Sequence, residues 1–505
     1  MFRIFGPPGT GKTTTLLNMV DEALSSGIPP QRIAFLAFTK KAATEAKERA
    51  AERFGLDAKT DLIHFRTLHS LALNMTDIRS EQVMQETHFR ELSRAIGVTL
   101  GAAKSGNFDE DMPSMVASND PILGLINLSR LRKVPLRQQY NESNLETDWS
   151  TVQYVDKCLH DYKESLGLFD FTDMLVEFVN GAERFCPEFD LCFLDEAQDL
   201  SPLQWDLAHA IDKKSARMYC AGDDDQAIYR WAGADVDHFI NLPGGSETLS
   251  QSYRIPQAVH KLAEGVVRRI GSRFPKSYEP KTEIGKVVRI STLGALDMAQ
   301  GSWLILSQAG YLLQPVARDL KSSGYLFNYR GHRSINEKVS EAVNGWEQLR
   351  KGREVSGLVA RKIYGFMSIG VSVLRGYKKL VGIEDHDLVD LATLKSNYGL
   401  LATVDMIWSE ALDKLPDSDR AYVTALLRRG EKFNGVPRIT ASTIHGAKGG
   451  EADNVVLFTD LSPAADNAMR TNPDDMHRVF YVGVTRTKKN LYIVDSEDAT
   501  RSYDL

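Results

Sequence analysis

The first residues of this 505-residue chain whose types and spacing could do chemistry are two carboxylates at the end of a short apolar run, Leu191-Cys192-Phe193-Leu194-Asp195-Glu196, with Ala197-Gln198-Asp199 after them. Apolar residues that end abruptly in charge read as a buried parallel strand opening into a crevice, where open α/β sheets bind ligands. A phosphate-binding counterpart stands near the start of the chain. Gly6, Pro7, Pro8, Gly9, Thr10, Gly11, Lys12 and Thr13 fit G-x-x-x-x-G-K-[ST] in full, and Thr14 leads into an apolar-periodic stretch. In such a loop the backbone N–H groups and the helix N-terminus cradle phosphates, Lys12 reaches the outer ones and Thr13 binds Mg²⁺. Asp195 would hold the same ion, leaving Glu196 to orient or deprotonate an attacking water. The chemistry expected is phosphoryl transfer to water.

These groups need strands and helices to aim them, and the pattern supplies both. Residues 2–5 read as a strand, and Leu16, Leu17, Val20, Ala23 and Leu24 have helical spacing that Gly27 and Pro29 end. Residues 32–38 read as a second strand, followed by Thr39, Lys40 and Lys41 and an Ala-rich helix stopped by Gly55. At that corner backbone N–H groups with Thr39 or Lys40 would contact phosphate; two lysines there are otherwise a solvated helix start. Residues 62–66 read as a third strand with Thr67, Leu68, His69 and Ser70 at its end. Between about 74 and 168 the alternation breaks down into a polar segment, with a Gly- and Ser-containing stretch at 101–107 and helical patches at 90–96 and 152–166, which implies an insertion emerging from the sheet.

After the Asp195 strand come a helix at 201–211 and a strand at 216–221, ending in Gly222-Asp223-Asp224-Asp225-Gln226. A glutamine at a neighbouring strand end can hydrogen-bond a γ-phosphate or its attacking water. Tyr229 and Trp231 follow among Arg230, Gly233 and Asp235, neighbours that favour faces for base stacking over a plain core strand. Tyr253 and Arg254 precede Ile255-Pro256 and a helix, and the Lys- and Arg-rich segment 261–289 reads as a junction between two lobes. A second α/β alternation is expected: strands at 287–291, 303–307 and 325–327, a helix through 316–320, helical residues 339–431, strands at 438–443 and 455–458, a helix at 478–489 and a last strand at 491–494. Either Arg254 or Arg486 alone would ordinarily be a surface or ion-pairing residue. Together, each beside a turn, they fit arginine fingers that gain partners only when the lobes close, the loss of one slowing hydrolysis roughly 10³-fold.

Composition narrows the setting. With 43% hydrophobic residues the chain can fill several cores, and its length suits three to four domains. The formal net charge of -6 excludes a globally basic nucleic-acid binder, so positive charge that meets nucleic acid must be local. Cys158, Cys186, Cys192 and Cys220 show no C-x-x-C pairing and read as buried small hydrophobes. There is no apolar run of about 18 residues, and the strand that opens at Phe2 leaves no room for a leader, so a soluble cytoplasmic protein without membrane contact is expected.

Taken together, residues 6–13, 38–43, 67–70, 195–199, 222–231, 253–254, 443–451 and 481–486, in this order, resemble the successive motifs of the superfamily 1 helicases of the UvrD/Rep/PcrA type. The resemblance implies an α/β fold of two RecA-like domains in tandem, each with an inserted, mainly helical accessory domain. Residues 1–74 and 169–250 would form the first RecA-like domain around an insertion at 75–168, and 251–338 with 432–505 the second around a short insertion at 339–431. ATP with Mg²⁺ would bind in the cleft and single-stranded DNA, or a single/double-strand junction, across the top. By this likeness Tyr253 stacks on adenine, Glu451 contacts the nucleotide sugar, Gln226 senses the γ-phosphate, and Phe38, Tyr229, Trp231 and His445 line the DNA path. Thr39, Lys40, Thr67, His69 and Thr443 belong to the same DNA-side motifs.

The chain also departs from the family pattern: no Gln-containing motif stands before the P-loop, Gly450 replaces a larger apolar residue, and little chain follows Val494 for an appended nuclease. The implied activity is an ATP-driven helicase or translocase moving 3′ to 5′, with replication or repair proteins as further partners. An ATP-gated clamp or translocase that strips proteins from DNA without unwinding is the alternative. A small-molecule P-loop kinase fits only the first 200 residues.

Overall fold

The computed structural model describes residues 1–101 and 120–505, so most of the Gly- and Ser-containing stretch at 101–107 lies outside the described residues. The chain divides into two compact units, one of residues 1–289 with 444–505, the other of residues 290–443. This grouping puts residues 251–289 and 444–505 with the P-loop.

In the first unit the apolar runs become strands β1 (Phe2–Phe5), β2 (Ile33–Ala37), β3 (Phe65–Thr67), β4 (Phe189–Leu194), β5 (Ser215–Gly222) and β6 (Ser246–Thr248) of one sheet, ordered β3-β2-β4-β5-β1-β6. Every pairing in it is parallel. All five residues of β2 are buried, because helices cover both faces of such a sheet and the strand has no polar side. Helices Lys12–Ser25 and Lys40–Phe54 bring Leu16, Leu17, Val20, Ala46 and Ala50 against Ile4, Phe35, Phe65 and Phe193. The second of these helices starts where the Thr39 hydroxyl accepts from the Ala42 N–H at 3.2 Å and ends at Gly55, whose φ of 65° few other residues adopt.

Parallel strands put their C-terminal ends on one edge, so the loops at 6–11, 38–39, 195–199, 223–226 and 249–254 open on the same side. Strand order sharpens this. β5 lies between β1 and β4, pairing Gly222 with Phe5 and Cys220 with Leu194, so the turn after β5 falls between the P-loop and Asp195.

Between β3 and β4 the described residues include the helices Glu86–Ile96, Pro121–Leu131 and Trp149–Leu166, which close a separate core of Leu92, Ile122, Leu123, Ile126, Val152 and Val155. The third strand begins at Phe65, three residues later than expected. Leu62, Ile63 and His64 form a turn instead, closed by the Phe65 N–H on the Leu62 carbonyl at 3.2 Å. Later in this unit, helix Pro473–Val484 precedes strand Thr487–Val494, which runs parallel to Ala452–Phe458. The helix expected at 478–489 therefore stops at Val484, because Thr487, Lys488 and Lys489 are taken into that strand, and Arg486 lands on the corner between the two.

In the second unit strand Ile439–Thr443 lies between Trp303–Ser307 and Phe327–Tyr329, parallel to both, and His332–Arg333 adds an antiparallel edge. The strand expected at 325–327 is shifted, since the Tyr325 N–H closes the preceding helix on the Leu320 carbonyl at 3.0 Å and pairing starts at Phe327. Residues 337–429 carry the helices Glu337–Arg350 and Asp417–Arg429 with shorter ones between them, a run without helix at 366–390, and one two-residue ladder between Val355–Ser356 and Leu388–Val389. Trp346 anchors these helices, fully buried with its indole N–H on the Met406 carbonyl at 2.9 Å. Among the described residues no helix is long and apolar enough to cross a membrane, and all four cysteines are free thiols, three of them buried.

Phe193 is fully buried at the centre of the first sheet. Phe193→Ala should cost about 3–5 kcal/mol, as phenylalanine truncation in a packed core does. A urea titration followed by circular dichroism checks this as a lowered midpoint.

Candidate functional site

The P-loop is shaped by its glycines. Gly9 and Gly11 have φ of 73° and 79°, in the left-handed region, and a Cβ on Gly9 would stand 2.3 Å from Cβ of Arg254. The loop is braced from the side by residues 252–254. The Ser252 hydroxyl donates to the Pro8 carbonyl at 2.7 Å, and the Tyr253 N–H donates to the Gly9 carbonyl at 2.9 Å. Thr10 closes the loop on the Pro7 carbonyl at 2.8 Å. Helix Lys12–Ser25 begins at Gly11 with no side-chain cap and no acidic residue in its first turn, which leaves its N–H groups for an anion. Lys12 Nζ reaches the Gly6 carbonyl at 3.2 Å and Glu196 at 3.6 Å, while Thr14 faces solvent.

Asp195 and Glu196 stand where β4 ends. Thr13 donates its hydroxyl to Asp195 Oδ2 at 3.0 Å, and Asp195 Oδ1 accepts from the Glu196 N–H at 2.9 Å. Burial, and then the negative Glu196 beside it, push Asp195 up to about 6. Glu196 goes the other way. Although burial opposes its charge, Lys12, Lys448, the Gln198 amide and Arg486 hold it down at about 2. Glu196 has a φ of 55°, rare for a residue with a side chain, and this turns its carboxylate toward Lys12. A hydroxyl and a carboxylate oxygen in contact, with a carboxylate whose charge the protein leaves under-compensated, are the hard donors a small divalent cation such as Mg²⁺ takes. Thr13 and Asp195 fit that ion.

Gln198 links the strand ends. Its amide donates to Glu196 at 2.5 Å and to Asp199 at 3.1 Å, and its carbonyl accepts the Asp223 N–H at 2.9 Å. Gln226 lies in the turn after β5, donating to Asp223 Oδ2 at 2.6 Å and accepting from the Arg486 guanidinium. Arg486 is buried, also donates to the Val482 carbonyl at 3.1 Å, and is lowered to about 9 by burial and then by Arg254. Arg254 pairs with Glu451 at 2.5 Å, and Glu451 also meets Lys488 at 3.1 Å. The two arginines were expected to find partners only on closure. Here each has a partner, the half-exposed Glu451 for Arg254 and the neutral Gln226 amide for Arg486. Tyr253 next to them is 75% exposed, free to offer a ring face.

The aromatic residues converge on the same edge. Ring centres of Tyr229 lie 5.9 Å from Phe38, 6.4 Å from Trp231 and 6.3 Å from His445, and Trp231 meets His445 edge-on at 6.2 Å. They differ in access, since Phe38 and Tyr229 are buried and Trp231 is 48% exposed. Lys448 covers the Tyr229 ring at 4.8 Å, donates to the Gln226 carbonyl at 2.9 Å and forms an ion pair with the buried Asp199. Burial lowers His445 to about 4 and His69 to about 4, so both are neutral rings at pH 7. His69 packs edge-on against Phe171 at 6.3 Å, Thr67 caps helix Leu68–Met75 through the Ser70 N–H, and Lys40 is exposed at the start of its helix. Thr443 ends its strand in the second unit.

Two family models match this chain, the UvrD/REP helicase N-terminal domain over residues 2–244 and the UvrD-like helicase C-terminal domain over residues 438–494. The chain belongs to the UvrD/Rep helicase family. It is 25% identical over 357 residues to the ATP-dependent DNA helicase PcrA of Leuconostoc citreum, an alignment of 67% of this chain and 46% of that one. The PcrA proteins of Bacillus subtilis strain 168 and Staphylococcus aureus strain Mu50 are each 26% identical, over 55% and 54% of this chain and 39% and 38% of theirs. The matched stretch thus spans less than half the length of each of these curated relatives. With the parallel sheets described above, the family membership makes the fold that of tandem RecA-like domains, the class expected from the sequence.

Some members of this UvrD/Rep site carry no role in the sequence reading. Gln198 and Lys448 sit inside motifs, so their neighbours pointed to them. Ser252 does not, and only packing reveals it. Gly9→Ala is expected to weaken nucleotide binding about tenfold or more, since a side chain in a left-handed position costs about 1–3 kcal/mol before any clash with Arg254. Titration with a fluorescent ATP analogue reads this directly.

Proposed function

We propose that this protein is an ATP-dependent motor on single-stranded DNA, a helicase of the PcrA/UvrD type. One observation carries the reading. Lys448 sits against Asp199 and the Gln226 carbonyl on one side and the Tyr229 ring on the other, so the carboxylates beside the P-loop and the aromatic cluster share a single cation. A change in charge at the first is felt at the second, which is what coupling ATP hydrolysis to a grip on stacked bases requires.

In this reading the 6–13 loop binds the phosphates of ATP and Tyr253 offers its face to the base. Glu196, held ionised by Lys12, accepts the proton of the attacking water, and Gln226, Arg254 and Arg486 surround the outer phosphate. Mg²⁺ held by Thr13 and Asp195 would neutralise charge on the phosphate oxygens. Trp231, exposed beside His445 and Tyr229, stacks on DNA bases, with Phe38, Thr39, Lys40, Thr67, His69 and Thr443 assigned to the same strand path. The direction of movement, 3′ to 5′, and work in replication, repair or recombination rest on the family resemblance, as does a protein partner from those processes.

The test is ATP hydrolysis by the purified protein with and without a single-stranded oligonucleotide, at two salt concentrations. Strong stimulation that weakens as salt rises is expected, because phosphate contacts release counterions. Hydrolysis indifferent to DNA would defeat the motor. A fluorescent forked duplex then separates unwinding from translocation alone, the outcome that would favour a protein-displacing translocase or clamp. Glu196→Gln should lower turnover by about 10²–10⁴-fold while ATP still binds, the range for loss of a general base. Trp231→Ala should remove most of the DNA stimulation and leave DNA-free hydrolysis intact, since each stacked base is worth about 1–3 kcal/mol; stimulation that survives unchanged would exclude the stacking role.

A further inference from the structure

Behind Gln226 lies a cluster of charge. Asp223, Asp224 and Asp225 are all buried, with carboxylate oxygens within 4.8 Å of one another, an arrangement that calls for a cation. The protein supplies its own. Lys276, itself almost fully buried, places Nζ 3.2 Å from Asp223, 2.6 Å from Asp224 and 2.6 Å from Asp225. Arg273 adds a two-pronged pair to Asp225 at 2.9 and 2.8 Å, and the Phe274 N–H donates to Asp224 at 2.7 Å. An ammonium and a guanidinium thus stand where a metal ion would otherwise be needed.

The use of this cluster follows from the chemistry of an amide. The two ends of the Gln226 side chain have nearly the same shape, so its partners decide which end faces which way. An ionised carboxylate can only accept, and Asp223 Oδ2 takes the Gln226 NH₂ at 2.6 Å. The carbonyl end is thereby turned to the Arg486 guanidinium, which can only donate. Lys276 compensates the other oxygen of the same carboxylate, Oδ1. The chain of contacts runs from Lys276 through Asp223 and Gln226 to Arg486.

We propose that Lys276 and Asp223 are positioning residues, which hold Gln226 in the one orientation that aims its carbonyl at Arg486; the proposal rests on the reading of this site as an ATPase. The side chains of both stand apart from the P-loop lysine and the Thr13–Asp195 pair, and Asp223 meets Gln198 only through its backbone N–H, which substitution keeps, so loss of either side chain should spare nucleotide binding and slow the step that uses Gln226.

The experiment is steady-state ATP hydrolysis at saturating oligonucleotide. Asp223→Asn is close to isosteric and lets the Gln226 amide turn over. It should lower kcat about 10- to 100-fold, the usual cost of losing an orienting partner, with KM for ATP and fluorescent-nucleotide affinity unchanged. Lys276→Met should act in the same direction, and where it fails to fold the asparagine variant carries the test. The deciding readout is a double-mutant cycle. In a Gln226→Ala background, Asp223→Asn should lower kcat no further, because its effect passes through the missing amide. Wild-type kcat in Asp223→Asn, or a loss that repeats in full in the Gln226→Ala background, would overturn the proposal while the ATPase reading stands. A wild-type protein with no hydrolysis would overturn both.

Discussion

Five buried carboxylates, Asp195, Asp199, Asp223, Asp224 and Asp225, crowd the ends of two neighbouring parallel strands, and the packing around them is governed by the need to compensate their charge. An ionised group taken out of water costs several kcal/mol unless a partner meets it. Lys448 meets Asp199, Lys276 and Arg273 meet the three aspartates after β5, and Lys12 meets Glu196 beside them. Asp195 is the exception, with a threonine hydroxyl in place of a cation and a carboxyl raised to about 6 by burial and Glu196. The under-compensated position is the one where the chemistry of the donors suits a metal ion.

Strand order turns this electrostatic arrangement into a working one. With β5 between β1 and β4, the turn at 223–226 sits between the 6–13 loop and Asp195, and Gln198 ties one strand end to the other. The same crowding makes Lys448 a shared element, bound to Asp199 while covering the Tyr229 ring. The aromatic cluster and the carboxylates at the strand ends are therefore neighbours through packed side chains and not merely members of one surface. The gradient of access in the cluster, buried Tyr229 and Phe38 behind a half-exposed Trp231, gives that face a rigid backing with a single projecting ring.

Backbone conformation adds a second constraint. Gly9 sits where Arg254 passes within reach of any added side chain, and the 252–254 segment holds the loop by two hydrogen bonds at Pro8 and Gly9. Glu196 takes up a conformation that a side chain ordinarily avoids, with its carboxylate 3.6 Å from the Lys12 ammonium. Strain of this kind persists only where the surroundings over-determine it.

The amino-acid sequence by itself determined which strands would be buried and where helices would stop, and offered the loop at 6–13 for phosphate, because these depend on local spacing: the apolar runs, stops such as Gly55, and the glycines and lysine at 6–13. It misplaced elements where pairing across the chain outweighs local pattern. The strand that begins at Thr487 pairs with Ala452–Phe458 and so ends the preceding helix at Val484, and the turn at Leu62 delays β3. Only the tertiary structure decided which charges meet. Lys276 is about fifty residues from the aspartates it neutralises, and no spacing rule joins it to them. Which groups Arg486 and Arg254 meet, Gln226 and Glu451, was likewise settled by the fold. The physical reason is common to all of these: phosphate loops and caps are made by neighbours in sequence, whereas the compensation of buried charge depends on distance in space, which a linear pattern does not encode.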